Sequence, residues 1–223
     1  MYGNVEFTLH SQHLFRTERD LPRGVAKAST IEEMGRLSLS PTIDAVYAEI
    51  TPTHSKSDIA IVLTLMRRVY PHRDASIELN DTWAAQKVLL LKATKTKPER
   101  QALSRFVECT EREMQSIKKQ FPNHTLEKYS RLRINGRLLA HTDSNEYIQE
   151  WHQDSFADPR NRRILRTLYG RSTELAENKM GDQAITPANE SIVIITDRAY
   201  HQAPLLEDAE ERLTLDFFLN YKQ

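Results

Sequence analysis

His152 and Asp154 stand two residues apart in the run Trp151-His152-Gln153-Asp154-Ser155-Phe156. In an extended segment, residues i and i+2 share a face. The imidazole and the carboxylate therefore point together, and Gln153 points away. A second histidine from another strand would complete two imidazoles and one carboxylate. That set binds a first-row metal on one face and leaves the opposite face open. His201, in the run Ala199-Tyr200-His201-Gln202, is the candidate. The chain holds a second triplet of the same type, His141-Thr142-Asp143. Trp151 and Phe156 bracket the later triplet as packed walls would, whereas Asp143-Ser144-Asn145 reads as a turn, so His152 and Asp154 are preferred. The other histidines, His10, His13, His54, His72 and His124, sit in polar or loop-like surroundings and read as ordinary surface or locally hydrogen-bonded groups.

Downstream, Arg212 opens the run Arg212-Leu213-Thr214-Leu215-Asp216-Phe217-Phe218-Leu219. As a strand, it places Leu213, Leu215, Phe217 and Leu219 on one face and Arg212, Thr214, Asp216 and Phe218 on the other. The apolar set must face a core, so Arg212 faces the interior of a barrel. A buried guanidinium needs a carboxylate. An organic acid held by two parallel hydrogen bonds would supply it, with Thr214 donating to the same oxygens. The competing reading is an ion pair with Glu210 or Asp216. Four further residues are candidates for substrate contact. Arg131 and Arg133 share a face of the strand before Asn135-Gly136. Arg166 shares a face with Leu168 and Gly170. Glu150 precedes His152 by two residues and, when ionised, would accept from a substrate amine.

The elements that must position these groups fall into two halves. Up to residue 124 the pattern is mainly helical. Thr30 with Glu33 fits a capping box. Asp58 is placed to cap a helix through Ile59–Tyr70, and Asp81 to cap another through Leu91. Residues 99–119 show an apolar stripe at Leu103, Phe106, Val107, Met114 and Ile117. Residues 44–50 read as a strand. From about 125 the period changes to two. Short strand candidates separated by polar turns suit an antiparallel barrel or sandwich. Asn135-Gly136 is the strongest local hairpin signal. The expectation is a single domain over 1–223, with a mainly helical flank over 1–124 and a β core over 125–221.

Composition bounds the function. The 223 residues carry 31 Lys and Arg against 31 Asp and Glu, so no bulk charge attracts nucleic acid or an anionic membrane. Cys109 is the lone cysteine, which excludes an internal disulfide and a cysteine-rich metal site. The beginning of the sequence lacks a signal-peptide pattern, and no apolar run approaches the length of a bilayer span. A cytoplasmic protein with no nucleic-acid or membrane partner is expected. Dinucleotide, P-loop and nucleophile-elbow glycine patterns are absent.

The pattern His152, Asp154 … His201 … Arg212, Thr214 resembles the H-x-D … H … R-x-S/T motif of the iron(II)/2-oxoglutarate-dependent oxygenases, and WHQD looks like the metal motif of the phytanoyl-CoA-hydroxylase-like branch. The resemblance covers residues 125–221. It implies an α+β fold with a double-stranded β-helix (jelly-roll, cupin-like) core buttressed by N-terminal helices. It also implies Fe(II) on His152, Asp154 and His201, and 2-oxoglutarate held by Arg212 and Thr214. With O2 as cosubstrate, the activity implied is hydroxylation of an unactivated C–H with release of succinate and CO2. Asp154 argues against the halogenases of the family, which lack that carboxylate. A small polar substrate, such as an amino acid, a derivative of one or a natural-product intermediate, is the leading expectation. A protein or peptide side chain is the alternative with the same chemistry. A barrel that binds metal or a small ligand without turnover is the non-enzymatic alternative. A zinc hydrolase with Glu150 as base is a further reading of the same residue types.

Overall fold

The computed structural model describes residues 21–70, 75–79, 83–127, 130–136, 150–204, 206 and 210–222. Helix α1 (Ile31–Leu37) is started by Thr30, whose hydroxyl accepts from the Glu33 N–H. The Glu33 carboxylate reaches back to Ser29 rather than to the cap residue itself. Helix α2 (Lys56–Val69) begins at Ser55, not at Asp58. The Ser55 hydroxyl accepts from the Asp58 N–H, and Asp58 instead pairs with Arg105 at 2.6 Å. Helix α3 (Trp83–Ala93) follows, and the expected cap at Asp81 lies outside the described residues. Helix α4 (Lys97–Gln120) carries a full capping box between Thr96 and Glu99, which satisfies two of its otherwise unpaired N–H groups. Its stripe of Leu103, Phe106 and Ile117 is buried.

Strands β1 (Val25–Lys27), β2 (Ala45–Ala48), β3 (Ala75–Glu78), β4 (His124–Leu126), β5 (Arg131–Gly136), β6 (Arg162–Tyr169), β8 (Ile192–Ile195) and β10 (Glu211–Tyr221) form one sheet. Its order is β1-β2-β8-β6-β10-β5-β3, with β4 paired to one end of β10. Only β1 and β2 run parallel; the remaining pairings are antiparallel. Strands β7 (Glu174–Ala176) and β9 (Tyr200–Gln202) form a second, small sheet. Residue 152 bridges onto β9 and residue 185 onto β7, which extends that sheet on both sides. The result is an α+β jelly roll with helices on one face of the large sheet. The first half of the chain is thus not only a helical flank, because β1, β2 and β3 come from it.

Alternation along the strands separates two cores. Val46, Ala48, Leu132, Ile134, Ile164, Leu168, Ile192, Ile194, Leu213, Leu215, Phe217 and Leu219 pack with helix residues such as Met66, Phe106 and Leu90. Ala45, Tyr47, Leu165, Val193 and Ile195 face the other way and meet Leu175, Ile185 and Ala199 of the small sheet. A strand covered on both faces must be apolar at nearly every position, as Ile192–Ile195 is. Asn135 and Gly136 do not form a hairpin turn. They continue β5 and pair with Arg212 and Glu211. The register of β10 against β6 shifts between Leu213 and Thr214, beside Arg212. Gly170, at φ +81°, allows the chain leaving β6 to pass this irregularity, since a Cβ there would lie 2.4 Å from the Glu211 carbonyl oxygen. Among the described residues no helix is long and apolar enough to cross a membrane.

Candidate metal centre

Backbone pairing brings the two histidines together. The His152 N–H donates to the His201 carbonyl at 3.1 Å, and the His201 N–H donates back at 3.0 Å. Residues directly opposed in this way present their side chains to the same face, and the two ring centroids lie 4.3 Å apart. Each ring is oriented by a carbonyl two residues earlier. His152 Nδ1 meets the Glu150 carbonyl at 2.8 Å, and His201 Nδ1 meets the Ala199 carbonyl at 3.1 Å. A carbonyl only accepts, so both rings carry a proton on Nδ1, which leaves Nε2 as the atom each turns to the site. His201 Nε2 is buried without a hydrogen-bond partner and lies 3.7 Å from Asp154 Oδ1. Burial pushes the His201 imidazole down to about 4, with Asp154 opposing. It is therefore a neutral, ligand-competent ring at physiological pH. One donor atom from each of His152, Asp154 and His201 lies within 4.8 Å of the others. Gln153 points away, as alternation requires, and donates to the Arg198 carbonyl at 2.7 Å.

These rings open onto a pocket of about 190 Å³ lined by His152, His201, Arg131, Arg133, Arg163, Arg212, Thr214 and Asp216, with Leu165, Thr173 and Ala203. Arg212 is buried. Its Nη2 donates to Thr173 Oγ1 at 2.6 Å, while its Nε is buried with no partner. Burial first, and Arg133 beside it second, push the Arg212 guanidinium down to about 9, which still leaves it a cation near neutrality. Asp216 and Glu174 oppose that shift through space, but the Asp216 oxygens are bonded elsewhere. That carboxylate is gripped by Arg163 through Nε and Nη2, both at 2.8 Å, with Arg131 Nε at 3.4 Å. Burial alone would raise the Asp216 carboxyl, but Arg163, Arg131 and Arg133 outweigh it and hold it below the usual range. Arg163 also reaches Asp154, with Nη1 at 3.2 Å from Oδ1 and 3.0 Å from Oδ2. Burial works against the Arg163 charge, and the two carboxylates more than restore it.

Not every residue expected at the site is there. Arg131 and Arg133 line the pocket. Arg166 does not. It lies on the helix side of the sheet, where its Nε meets Glu113 at 3.3 Å and its guanidinium donates to the carbonyls of Ile50 and Glu190. There it borders a separate cavity of about 580 Å³ with Ile50, Ile117 and Ile192. Burial pushes the Glu113 carboxyl up and the Arg166 guanidinium down, and each opposes the shift of the other. Glu113→Leu should therefore cost about 3–5 kcal/mol in a denaturant titration, by orphaning a buried charge, with the metal affinity of the folded fraction unchanged. The Glu150 side chain is exposed. Its carbonyl orients His152. His54 and His124 are buried rather than on the surface, bonded to Thr110 and to the Arg160 carbonyl. His10, His13, His72, His141 and Asp143 lie outside the described residues. Sequence reasoning missed Arg163. The signal was its place two residues before Leu165, on the inward face of β6.

No family model matches the chain, and no curated protein matches it. Solved structures with related shape do. An oxygenase candidate from Shewanella oneidensis aligns over 91% of this chain and 91% of its own at 10% identity, with a TM-score of 0.48. An oxidoreductase of the 2OG-Fe(II) oxygenase family from Burkholderia pseudomallei aligns over 87% and 94% at 10% identity, TM-score 0.43. A prolyl 4-hydroxylase from Phytophthora capsici aligns over 85% of this chain and 62% of its own at 18% identity, TM-score 0.48. At these values the chemistry has to be carried by the side chains themselves.

Proposed function

We propose that the protein is an iron(II)- and 2-oxoglutarate-dependent dioxygenase, with His152, Asp154 and His201 holding the metal and Arg212 with Thr214 holding the distal carboxylate of the cosubstrate. The observation that carries this reading is the coexistence, in one pocket, of a bare imidazole Nε2 on His201 and a buried, incompletely bonded guanidinium on Arg212. Two imidazoles and a carboxylate are the donor set of an iron site with an open face. A buried cation lacking its carboxylate is the counterpart of an organic acid. The group supplies, when bound, the activation of O2 that oxidises an unactivated C–H at the expense of the 2-oxoacid. The chain's own residues do the rest. The Glu150 and Ala199 carbonyls fix which nitrogens face the metal, and Arg212 and Thr214 orient the diacid.

The arginines that line the pocket, Arg131 and Arg133 among them, fit a small polar substrate with an acidic group, such as an amino acid or a derivative. Arg131 and Arg133 are its expected contacts. The Trp151–Asp154 run points, on sequence, to the phytanoyl-CoA-hydroxylase-like branch. The test is succinate formation by the purified protein with Fe(II), 2-oxoglutarate and O2, including turnover without a prime substrate. Succinate that depends on all three supports the reading. Absence of succinate from a protein that binds Fe(II) tightly would favour the metal-binding alternative.

A further inference from the structure

Arg163 sits where no feature of the cosubstrate requires it. A metal held by both oxygens of a carboxylate lies near the bisector of the O–C–O angle, about equally far from each oxygen. In this protein Arg163 Nη1 takes that place on Asp154, at 3.2 Å from Oδ1 and 3.0 Å from Oδ2. The opposite edge of the same guanidinium is locked onto Asp216 by two bonds of 2.8 Å. Its face lies 4.9 Å from the centre of the Phe218 ring, and the side chain is only 13% exposed. Asp216 is in turn on β10, the strand of Arg212 and Thr214. A planar fork bonded on two edges and lying over a ring has little freedom to turn.

We infer that Arg163 is a positioning residue for the metal: it occupies the chelating position of Asp154 and so restricts that carboxylate to a single metal–oxygen bond. The inference rests on the proposed metal role of His152, Asp154 and His201. With one oxygen committed, Asp154 takes one coordination position and the face opposite the three ligands stays open. Asp216 is the anchor that holds Arg163 in place, which gives a buried carboxylate outside the triad a defined purpose.

The direct test uses Co(II) as the probe and needs no turnover. In the full chain labelled with carboxyl-¹³C aspartate, a Co(II)-minus-apo infrared difference spectrum should show a wide gap between the antisymmetric and symmetric stretches of the aspartate that shifts, the signature of a carboxylate bound through one oxygen. That aspartate is identified by loss of the signal in Asp154→Asn. A narrow gap, the signature of chelation, overturns the inference while leaving the triad intact. The double variant Arg163→Met, Asp216→Asn removes one cation and one anion together, so the local charge is kept while the grip on Asp154 is lost, along with the Asp216 contact to Arg131. It should bind Co(II) roughly 10–100-fold more weakly, the usual cost of losing an outer partner of a ligand, and its cobalt absorption in the visible should change shape. Unchanged affinity and spectrum in the folded variant overturn the inference. If the parent protein does not bind Co(II), or Asp154→Asn binds it equally well, the reading of the metal centre itself falls, and the inference with it.

Discussion

His201→Ala should abolish iron-dependent succinate formation and weaken metal binding by more than the roughly 10–100-fold that loss of an outer partner costs. The expectation follows from the backbone as much as from the ring. His201 is buried, its Nδ1 is tied to the Ala199 carbonyl, and its Nε2 has no other partner. Removing the ring leaves His152 and Asp154 without a third donor, and no described carboxylate or imidazole is within reach to replace it. The fold should survive, because the paired amides of residues 152 and 201 hydrogen-bond through the main chain. Calorimetric titration with Fe(II) under anaerobic conditions, beside a circular dichroism melt, separates the two effects. Retained succinate formation in the folded variant would remove His201 from the metal site.

Arg212→Met should give the second large effect, and it should fall on the cosubstrate rather than on the metal. Truncating one partner of a buried charge pair costs about 2–5 kcal/mol, so the KM for 2-oxoglutarate should rise by roughly 30-fold or more. Fe(II) affinity in the absence of 2-oxoglutarate should change little. The apo protein should gain stability, since an incompletely bonded buried cation has been replaced by an apolar side chain of similar length. The three readouts are a KM series, a metal titration and a melting curve. A raised metal dissociation constant with an unchanged KM would contradict the assignment of Arg212 to the diacid.

Local periodicity made part of this arrangement legible in the sequence. The alternation in β10 separates Leu213, Leu215, Phe217 and Leu219, packed toward the helices, from Arg212, Thr214 and Asp216, which line the pocket. The two-residue spacing of His152 and Asp154 puts both on one face, and Gln153 does point away. What remained hidden depends on partners far along the chain. Arg166 shares its strand face with Leu168 and is drawn to the helix side by Glu113, whose position on α4 is set by tertiary packing. Arg163 is visible as an inward residue only once β6 is known to pair with both β8 and β10. Asn135-Gly136 has the composition of a hairpin turn, but β10 supplies a partner for it and it stays extended. Ser55 takes the cap expected of Asp58 because Arg105, a residue of α4, offers that carboxylate a stronger bond.

The central claim is that one metal ion joins His152, Asp154 and His201 at the mouth of the arginine-lined pocket. Crystals grown anaerobically with Fe(II) and 2-oxoglutarate, measured on both sides of the iron absorption edge, test it most directly. The expected result is a single anomalous peak within bonding distance of both Nε2 atoms and of an Asp154 oxygen, with the diacid running from that peak to Arg212. Iron bound elsewhere, or Nε2 atoms of residues 152 and 201 turned to different sides of the small sheet, would contradict it.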